Sequence, residues 1–319
     1  MTRVAMIGCG AAHARHCEYL RRREDVTLVG HCDIEEDRAE AAASQFGGDA
    51  YAGHERLLDE TKPDAVYLAA PPLAREELVE AAAERGVHMF IETPMELNRM
   101  AAKRANAALR KSKVIVSAGY VWRYFDTVAT ARKKLNGKAV SLVTGYWHGP
   151  MPEAGWRRRM DKSGGQVVER TTHVIDLIRY LCGEAAEVYA AGSKGCAKKA
   201  DDHDLHDSSA ITMRLKSGAT ASVTSSYVAK HGAKAGIEIV TPEAVFTINS
   251  GQLTVQEDGR STRYAPKNDI YADQTEAFID AVRGGKKNRV RSSYSDALKT
   301  FLVTHAANES MRTGLPVKP

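Results

Sequence analysis

The start of the chain is the stretch that most limits its fold, because a short apolar run leads directly into two closely spaced glycines. Residues 4–7 predict a buried strand, and a helical pattern begins after Gly10 and continues through Leu20. Gly8 permits a tight turn, and Gly10 lets a ligand approach the backbone closely. The N–H groups that open the helix complete a site suited to a pyrophosphate. The predicted cofactor contacts in this stretch are Gly8, Gly10, Ala11, Ala12 and His13.

Asp33 follows a second predicted strand at residues 27–32. It lies 23 positions after Gly10, near the spacing of about 20 for an acid that binds the ribose of a dinucleotide. Its carboxylate would accept from both ribose hydroxyls and repel a 2′-phosphate, which favours NAD over NADP. An N-cap role for the helix that begins near Glu35 is compatible with this assignment. Arg38 is a basic residue close to Asp33 in the sequence, so NADP is retained as the less favoured alternative cofactor.

Apolar runs and helical patterns alternate through the first 120 residues. Buried strands are predicted at 65–69, 87–91 and 114–117, and helices at 73–85 and 97–111. This alternation implies right-handed crossovers and a parallel α/β sheet.

Two of these strands end in proline-containing motifs. The first runs into A-A-P-P and the second into E-T-P-M. Proline cannot continue a strand ladder, so the chain leaves the sheet where the ligands of an open α/β sheet bind. Ala70, Pro71 and Glu92 are therefore predicted to contact the cofactor, and Thr93 to contact the substrate. The second motif alone also fits an ordinary strand end followed by a helix that starts near Met95.

Five features follow one another along the chain: the G-C-G turn, Asp33, A-A-P-P, E-T-P-M and Trp122-Arg123-Tyr124. Together they resemble the glucose–fructose oxidoreductase / inositol dehydrogenase (Gfo/Idh/MocA) family, and the resemblance extends over nearly the whole chain. The resemblance implies an α/β protein with an N-terminal Rossmann dinucleotide-binding domain at residues 1–120. It also implies a C-terminal α+β domain at residues 121–319, with an open, mostly antiparallel sheet used for substrate binding and oligomerisation. Members of the family are commonly homodimers or homotetramers.

Two positions depart from the family pattern. Where the family has the catalytic lysine of E-K-P, this chain has Thr93, which can hydrogen bond but cannot carry a positive charge near neutral pH. Where the family commonly has histidine after the proline pair, this chain has Arg75, which is assigned to the cofactor site. Ordinary cofactor binding with atypical substrate chemistry is therefore expected.

A polar stripe on an apolar helix marks the second half of the chain. Within residues 164–181, Glu169, Thr172, His173 and Asp176 share one face at about 100° per residue. Glu169 and His173 are four positions apart, so the carboxylate can orient the imidazole as a general acid/base pair. A half-buried pair that only holds two domains together is the alternative. The resemblance implies that His173 is the catalytic histidine, with Glu169 in place of an aspartate and Asp176 as structural support.

Other features of the second half suggest a substrate cleft. On a loop before the polar helix, Trp156 and Arg157 are suited to cover a sugar ring or grip a carboxylate, and a solvated basic loop is the alternative. Tyr120 and Arg123 are predicted neighbours of this cleft. The acidic, histidine-containing run at 201–207 is interpreted as a solvated loop, so no metal site is expected. Strand-like segments are predicted at 140–147, 188–191, 209–215, 219–227, 236–241, 244–249 and 252–256.

Composition excludes several classes of protein. The formal net charge is +5 and the basic residues are spread along the chain, which argues against nucleic-acid binding. Five cysteines without a C-x-x-C motif indicate reduced thiols, and a strand begins within three residues of the start, without room for a signal peptide. A cytoplasmic protein is therefore expected, and no apolar run approaches membrane-spanning length.

These features predict an NAD-dependent oxidoreductase that acts on a secondary alcohol of a sugar, cyclitol or related polyol. Two alternatives stay open. One is an NAD-assisted lyase or glycosidase, in which the cofactor mediates an internal oxidation and reduction. The other is a non-catalytic NAD-binding sensor.

Overall fold

The computed structural model describes residues 1–197, 203–285 and 289–319. The chain divides into two compact units: the first unit is Met1–Val121 with Asp269–Leu298, and the second unit is Trp122–Asn268 with Lys299–Pro319. The predicted domain boundary at residues 120 and 121 stays a prediction. Asp201 and Asp202, which open the predicted solvated loop, lie outside the described residues.

The first unit contains a parallel sheet with helices between its strands. Its strands are β1 (Thr2–Ile7), β2 (Val26–Cys32), β3 (Asp49–Tyr51), β4 (Ala65–Leu68), β5 (His88–Ile91) and β6 (Val116–Ala118). Its helices are α1 (Ala11–Leu20), α2 (Glu36–Phe46), α3 (His54–Thr61), α4 (Arg75–Glu84), α5 (Arg99–Lys111) and, later in the chain, α9 (Ile270–Val282). The strand order is β3-β2-β1-β4-β5-β6, so the order reverses between β1 and β4. Ligands bind at such a switch point, past the carboxyl ends of the strands.

The core of the first unit explains why its strands are visible in the sequence. Val4, Met6, Tyr67 and Phe90 pack in one cluster with Phe278 of α9, and each is at most 1% exposed. A strand covered on both faces must be apolar along its length, so it appears as an unbroken apolar run.

The second unit contains a larger, mostly antiparallel sheet. Its strands are β7 (Leu142–His148), β8 (Ala185–Ser193), β9 (Ser208–Leu215), β10 (Thr220–Ser226), β11 (Lys234–Val240), β12 (Val245–Asn249), β13 (Gln252–Glu257) and β14 (Arg260–Tyr264). Their order is β14-β13-β12-β11-β7-β10-β9-β8, and the β7–β10 pair is parallel. The helices α6 (Asp126–Leu135), α7 (Met160–Ser163) and α8 (Thr172–Cys182) belong to this unit, and α10 (Tyr294–Thr313) starts before its second segment. The π-helical segment Val167–Thr171 directly precedes α8.

A glycine lets α8 pack closely on the sheet of the second unit. A Cβ added to Gly145 of β7 would lie 2.6 Å from Val174 Cγ1 of α8. Only a residue without a side chain allows this approach. The same contact fixes the height above the sheet of His173, the residue before Val174.

A Rossmann sheet together with a mostly antiparallel second sheet confirms the predicted fold class. Among the described residues, the helices include none that is both long and apolar enough to span a membrane. The predicted assembly as a homodimer or homotetramer stays a prediction.

Candidate functional site

The turn after β1 brings two strand ends together in the first unit. Gly8 has a φ angle of +91°, a region that favours glycine. A Cβ built there would lie 2.3 Å from the backbone nitrogen of Ala70. The ends of β1 and β4 can therefore meet this closely only because position 8 is a glycine.

The backbone at Gly10 is open to a ligand. Apart from Gly10 itself and its two neighbours in the chain, no described residue has an atom within 4 Å of the place where a Cβ of Gly10 would be. α1 then begins at Ala11 without a side-chain cap and without an acidic residue in its first turn. The N–H groups and the positive end of the helix dipole are thus suited to a bound anion such as a pyrophosphate.

Asp33 lies beside this turn, just after β2. Its Oδ2 accepts from the Cys9 backbone N–H at 2.7 Å, and its Oδ1 accepts from the Glu35 backbone N–H at 3.0 Å. An ionised carboxylate has further lone pairs, so Asp33 can also accept from ribose hydroxyls. Burial raises the pKa of the Cys9 thiol to about 12, so this thiol stays protonated beside the turn. Arg38 forms an exposed ion pair with Glu35 at 3.1 Å.

A cavity of about 500 Å³ opens at these strand ends, and Ala70 and Pro71 help to line it. Two other lining side chains, Ile34 and Leu73, are 93% and 68% exposed. They present apolar surface to an entering ligand, next to the carboxylate of Asp33. A flat apolar base attached to a polar sugar matches this lining.

Arg75 supports the cavity wall from within the protein. It is 1% exposed, its Nη2 donates to the Ala70 carbonyl at 2.7 Å, and its Nη1 donates to the Leu68 carbonyl. Burial lowers the pKa of the guanidinium to about 10, which leaves it charged at neutral pH. The sequence assigned Arg75 to the cofactor. In the structure both terminal nitrogens bond to carbonyls at the end of β4, and the predicted cofactor contact stays a prediction.

Glu92 lies at the end of β5 and is anchored by a buried histidine. Its Oε1 is 2.7 Å from His16 Nε2, and its Oε2 accepts from the Thr93 backbone N–H at 3.1 Å. His16 is 1% exposed and packs against the rings of Tyr67 and Phe90. The imidazole therefore fixes Glu92, and Glu92 in turn positions the backbone at Thr93.

His13 occupies the third position of the glycine motif, and its side chain is 2% exposed. Its Nε2 lies 2.8 Å from His31 Nδ1, and His31 Nε2 donates to the Gly47 carbonyl at 2.8 Å. Cys17 Sγ lies 3.6 Å from His13 Nε2. The separation of the two imidazoles is that of a hydrogen bond, whereas two nitrogen ligands of one tetrahedral zinc ion lie about 3.3 Å apart. The predicted cofactor contact of His13 stays a prediction.

Acid should destabilise the His13–His31 pair. Burial, followed by the nearby His31, lowers the pKa of His13 from its ordinary 6.5 to about 4. Between pH 4 and pH 6.5 the unfolded chain binds a proton at His13 that the folded chain does not bind. The contribution of neutral His13 to the free energy of unfolding is therefore present above pH 6.5 and is lost as the pH falls towards 4. We expect His13 to account for a loss of about 2 kcal/mol of unfolding free energy between pH 7 and pH 5.

Urea unfolding across this pH range measures the effect. His13→Gln keeps an N–H donor for His31 but cannot titrate, so its stability should fall by about 2 kcal/mol less than that of the wild type. His231→Gln replaces an exposed histidine and should follow the wild type. A pH dependence that is the same in His13→Gln and in the wild type would contradict the assignment.

In the second unit, His173 lies beside two stacked tryptophans, and we call these three side chains the aromatic face. Trp122 and Trp147 are nearly parallel, with ring centroids 5.2 Å apart and planes inclined by 7°. The His173 ring is tilted by 34° to each, with its centroid 5.9 Å from both. All three side chains are half-buried. An imidazole at the edge of a flat apolar surface suits the C–H side of a sugar or cyclitol ring.

Glu169 lies in the π-helical segment and is held by three side chains. It accepts from the Tyr227 hydroxyl at 2.7 Å, and it pairs with Arg157 Nε at 3.2 Å and Arg170 Nε at 3.5 Å. A π turn holds more residues than an α turn, so the regular spacing behind the predicted polar stripe does not run through this segment. The predicted contact between Glu169 and His173 stays a prediction.

Arg123 is 2% exposed and bonds to Asp176 through two nitrogens. Its Nε lies 2.7 Å from Asp176 Oδ2, and its Nη2 lies 2.6 Å from Asp176 Oδ1. The guanidinium also stacks over the Tyr180 ring. The sequence predicted that Arg123 borders the substrate. The structure shows the guanidinium fork bonded to a buried carboxylate of the second unit, and the predicted substrate contact stays a prediction.

The remaining predicted substrate residues differ in exposure. Tyr120 is 2% exposed in the first unit. In the second unit, Trp156 and Arg157 lie on the 3-10 turn Gly155–Arg158, where the Arg157 guanidinium stacks over the Trp156 ring at 5.2 Å. The structure thus brings Glu169 next to Arg157 and Trp156, whereas the sequence analysis treated Glu169 apart from that pair.

Sequence reasoning did not name His16, Trp147 or Tyr227 among the residues of these sites. Each contacts a site residue far along the chain, as Tyr227 does with Glu169, 58 positions away. No local periodicity links such pairs, so a single sequence contains no signal that would have identified them.

Two family models match this chain. The one described as the oxidoreductase family with an NAD-binding Rossmann fold (GFO_IDH_MocA) matches residues 2–120. The one described as the GFO/IDH/MocA C-terminal domain matches residues 135–247. Together the two matches cover more than half of the chain.

Two relatives and one solved structure are similar to this chain over nearly its full length. Myo-inositol 2-dehydrogenase of Thermotoga maritima is 27% identical over 99% of this chain and 98% of that protein. The scyllo-inositol 2-dehydrogenase (NAD(+)) of Bacillus subtilis is 24% identical over 99% of this chain and 96% of that protein. The structure of levoglucosan dehydrogenase in complex with NADH and levoglucosan has a TM-score of 0.88, with 21% identity and 99% of each chain covered, which shows a shared fold.

Proposed function

Because the chain belongs to the Gfo/Idh/MocA family of NAD-binding oxidoreductases, we propose that it oxidises a secondary alcohol of a sugar, cyclitol or related polyol with NAD. The observation that carries this proposal is the aromatic face, where His173 lies at the edge of the stacked Trp122 and Trp147 rings. The two inositol dehydrogenase relatives support the same class of substrate.

The first unit has the groups that NAD requires. The Gly8 turn and the open backbone at Gly10 suit the pyrophosphate, and Asp33 suits the ribose hydroxyls. Ile34 and Leu73 provide the exposed apolar surface that an adenine ring would cover. When bound, the cofactor supplies the hydride acceptor for the oxidation.

His173 is the proposed proton acceptor. A neutral imidazole can take the proton of a substrate hydroxyl while the neighbouring carbon is oxidised. Trp122 and Trp147 would cover the apolar side of the ring and hold the hydroxyl against His173. Thr93, in the position where the resemblance places a lysine, is proposed to hydrogen bond with the substrate without supplying charge.

A panel of polyols tests this function. The purified protein is mixed with NAD⁺ and, in turn, myo-inositol, scyllo-inositol, D-glucose, D-xylose and levoglucosan, and NADH is followed by absorbance. We expect NADH formation with at least one of them. Measurable NAD binding with neither NADH nor product from any compound would reject the proposal and favour the sensor.

Thr93 supports a second candidate. A site without the lysine suits a lyase or glycosidase in which the cofactor is oxidised and reduced within one turnover. Adding glycosides to the panel and analysing products by mass spectrometry separates the two candidates. Product formation without net NADH would favour the second one.

A further inference from the structure

A charged group of side chains lies one helical turn before His173, and the proposed reaction does not use it. The Glu169 side chain is 6% exposed, with its carboxylate 3.2 Å from Arg157 Nε and 3.5 Å from Arg170 Nε. The Tyr227 hydroxyl donates to the same carboxylate at 2.7 Å. We call these four residues, Glu169, Arg157, Arg170 and Tyr227, the arginine cluster.

The arginine cluster carries a net positive charge. Guanidinium groups stay protonated in proteins, and burial raises the pKa of Tyr227 well above its ordinary 10, so the hydroxyl is neutral. Two positive groups therefore face one carboxylate. Two guanidinium forks also have more N–H donors than one carboxylate has lone pairs, even with the Pro150 carbonyl accepting from Arg170 at 3.2 Å.

The arginines are also accessible. The side chain of Arg157 is 41% exposed and that of Arg170 is 21% exposed, whereas Glu169 between them is almost fully covered. A second anion can therefore reach the positive groups without displacing the carboxylate that holds them in place. Because the Glu169 carboxylate lies beside both Nε atoms, the two guanidinium groups are held near each other before a ligand arrives.

The arginine cluster borders the aromatic face. Arg170 Nη1 and Trp147 Nε1 lie 3.6 and 4.0 Å from the point where a Cβ of Gly149 would be. Both groups therefore lie within 4 Å of the same point beside Gly149. Trp147 in turn stacks on Trp122 with His173 beside both rings. A ring that rests on Trp147 can therefore extend a substituent towards Arg170.

We propose that the site takes sugar acids, in which a carboxylate of the substrate pairs with Arg157 and Arg170 while the ring rests on the aromatic face. This inference rests on the proposed oxidoreductase function and names its substrate class, uronic or aldonic acids in preference to neutral polyols. A guanidinium fork matches a carboxylate through two parallel hydrogen bonds. The spacing of the two arginines already accommodates one carboxylate, that of Glu169.

Matched substrates test the preference. D-glucuronate and D-galacturonate are compared with D-glucose and D-galactose, which differ from them at one carbon, and with D-glucose 6-phosphate. We expect kcat/KM of the wild type to be at least about tenfold higher for the uronates than for the neutral sugars. Equal values for acid and neutral sugars, or a preference for the phosphate, would overturn the proposal.

Substitutions then assign the preference to the arginines. Arg157→Gln and Arg170→Gln should each lower, about tenfold, the ratio of kcat/KM for the uronates to kcat/KM for the neutral sugars, mainly through a higher KM for the uronates. Arg214→Gln is the matched control, since it removes an exposed arginine of the same unit that pairs with Glu187 at 3.6 Å. Arg157→Lys keeps the charge and loses the fork, so an intermediate KM is expected. Equal changes for acids and neutral sugars would indicate a structural role only.

Binding without turnover separates this inference from the proposed function. Thermal shifts are measured with NAD⁺ present, at constant ionic strength, with D-glucuronate or D-glucose. D-glucuronate should raise Tm in the wild type and in Arg214→Gln but not in Arg170→Gln. If this pattern holds while no sugar is oxidised, the proposed function fails and the anion site stands. If neutral sugars are oxidised and D-glucuronate gives no larger shift than D-glucose, the anion site fails alone.

Discussion

His173→Asn should lower kcat for an accepted polyol by about 100- to 10,000-fold, because the new side chain cannot take the hydroxyl proton. Asparagine stays polar and is smaller than the imidazole, so the half-buried Trp122–Trp147 stack should persist. NAD affinity should change less than about twofold, since the glycine turn and Asp33 belong to the first unit.

Two measurements separate chemistry from binding. NADH absorbance gives kcat, and isothermal titration calorimetry gives the affinity for NAD. His148→Asn is the matched control, since His148 is another imidazole in the second unit, 3.0 Å from Thr224 Oγ1 on the neighbouring strand. Its kcat should stay within about twofold of the wild type. Unchanged turnover in His173→Asn would defeat the assignment, and equal losses in both variants would point to a disturbed aromatic face instead.

The cofactor half could be predicted from the sequence because its signals are local. Gly8 must be a glycine since its φ is +91° and a neighbouring strand end leaves no room for a Cβ. β4 must be apolar since it is buried along its whole length. The position of Asp33 is set by the end of β2, the strand that directly precedes it. Each of these constraints acts on one residue and its close neighbours, so a single sequence displays them.

The partners of charged residues could not be predicted in the same way. Arg75, Arg123 and Glu169 were all assigned to ligands or catalysis, and the structure shows them bonded to other protein groups. Arg123 bonds to Asp176, which lies 53 positions later in the chain. Arg75 bonds to backbone carbonyls, which every residue possesses, so no residue type marks its partners. A charge pattern shows that a partner is needed but does not identify it.

The glycine motif shows the same limit on a smaller scale. The sequence reveals that His13 replaces the third glycine, but not what satisfies a buried imidazole there. His31 of β2 bonds to it, and the Gly47 carbonyl after α2 accepts from His31 in turn, so both groups lie later in the chain than α1. A departure from a motif is therefore visible in the sequence, whereas its compensation requires the packed structure.

Asp176→Leu should cause the largest loss of stability among the changes discussed here. Asp176 and Arg123 side chains are 2% and 3% exposed, and Thr300 Oγ1 donates to the same carboxylate at 2.7 Å. Removing the carboxylate takes this counter-charge from the buried Arg123 guanidinium, which costs about 3–5 kcal/mol. Arg179, whose Nη1 lies 3.8 Å from the same carboxylate, keeps its pair with Glu184. For a unit of this size, Tm should fall by about 6–20 °C, as measured by differential scanning calorimetry.

A double variant tests whether the buried charge is the cause. Arg123→Met combined with Asp176→Leu removes both charges and should recover most of the lost stability. Glu187→Gln breaks an exposed pair with Arg214 and should cost less than about 0.5 kcal/mol. A double variant less stable than Asp176→Leu would contradict the argument. Because Asp176 and His173 share α8, activity that is lost in the single variant and returns in the double variant would show that the ion pair serves catalysis only by holding that helix in place.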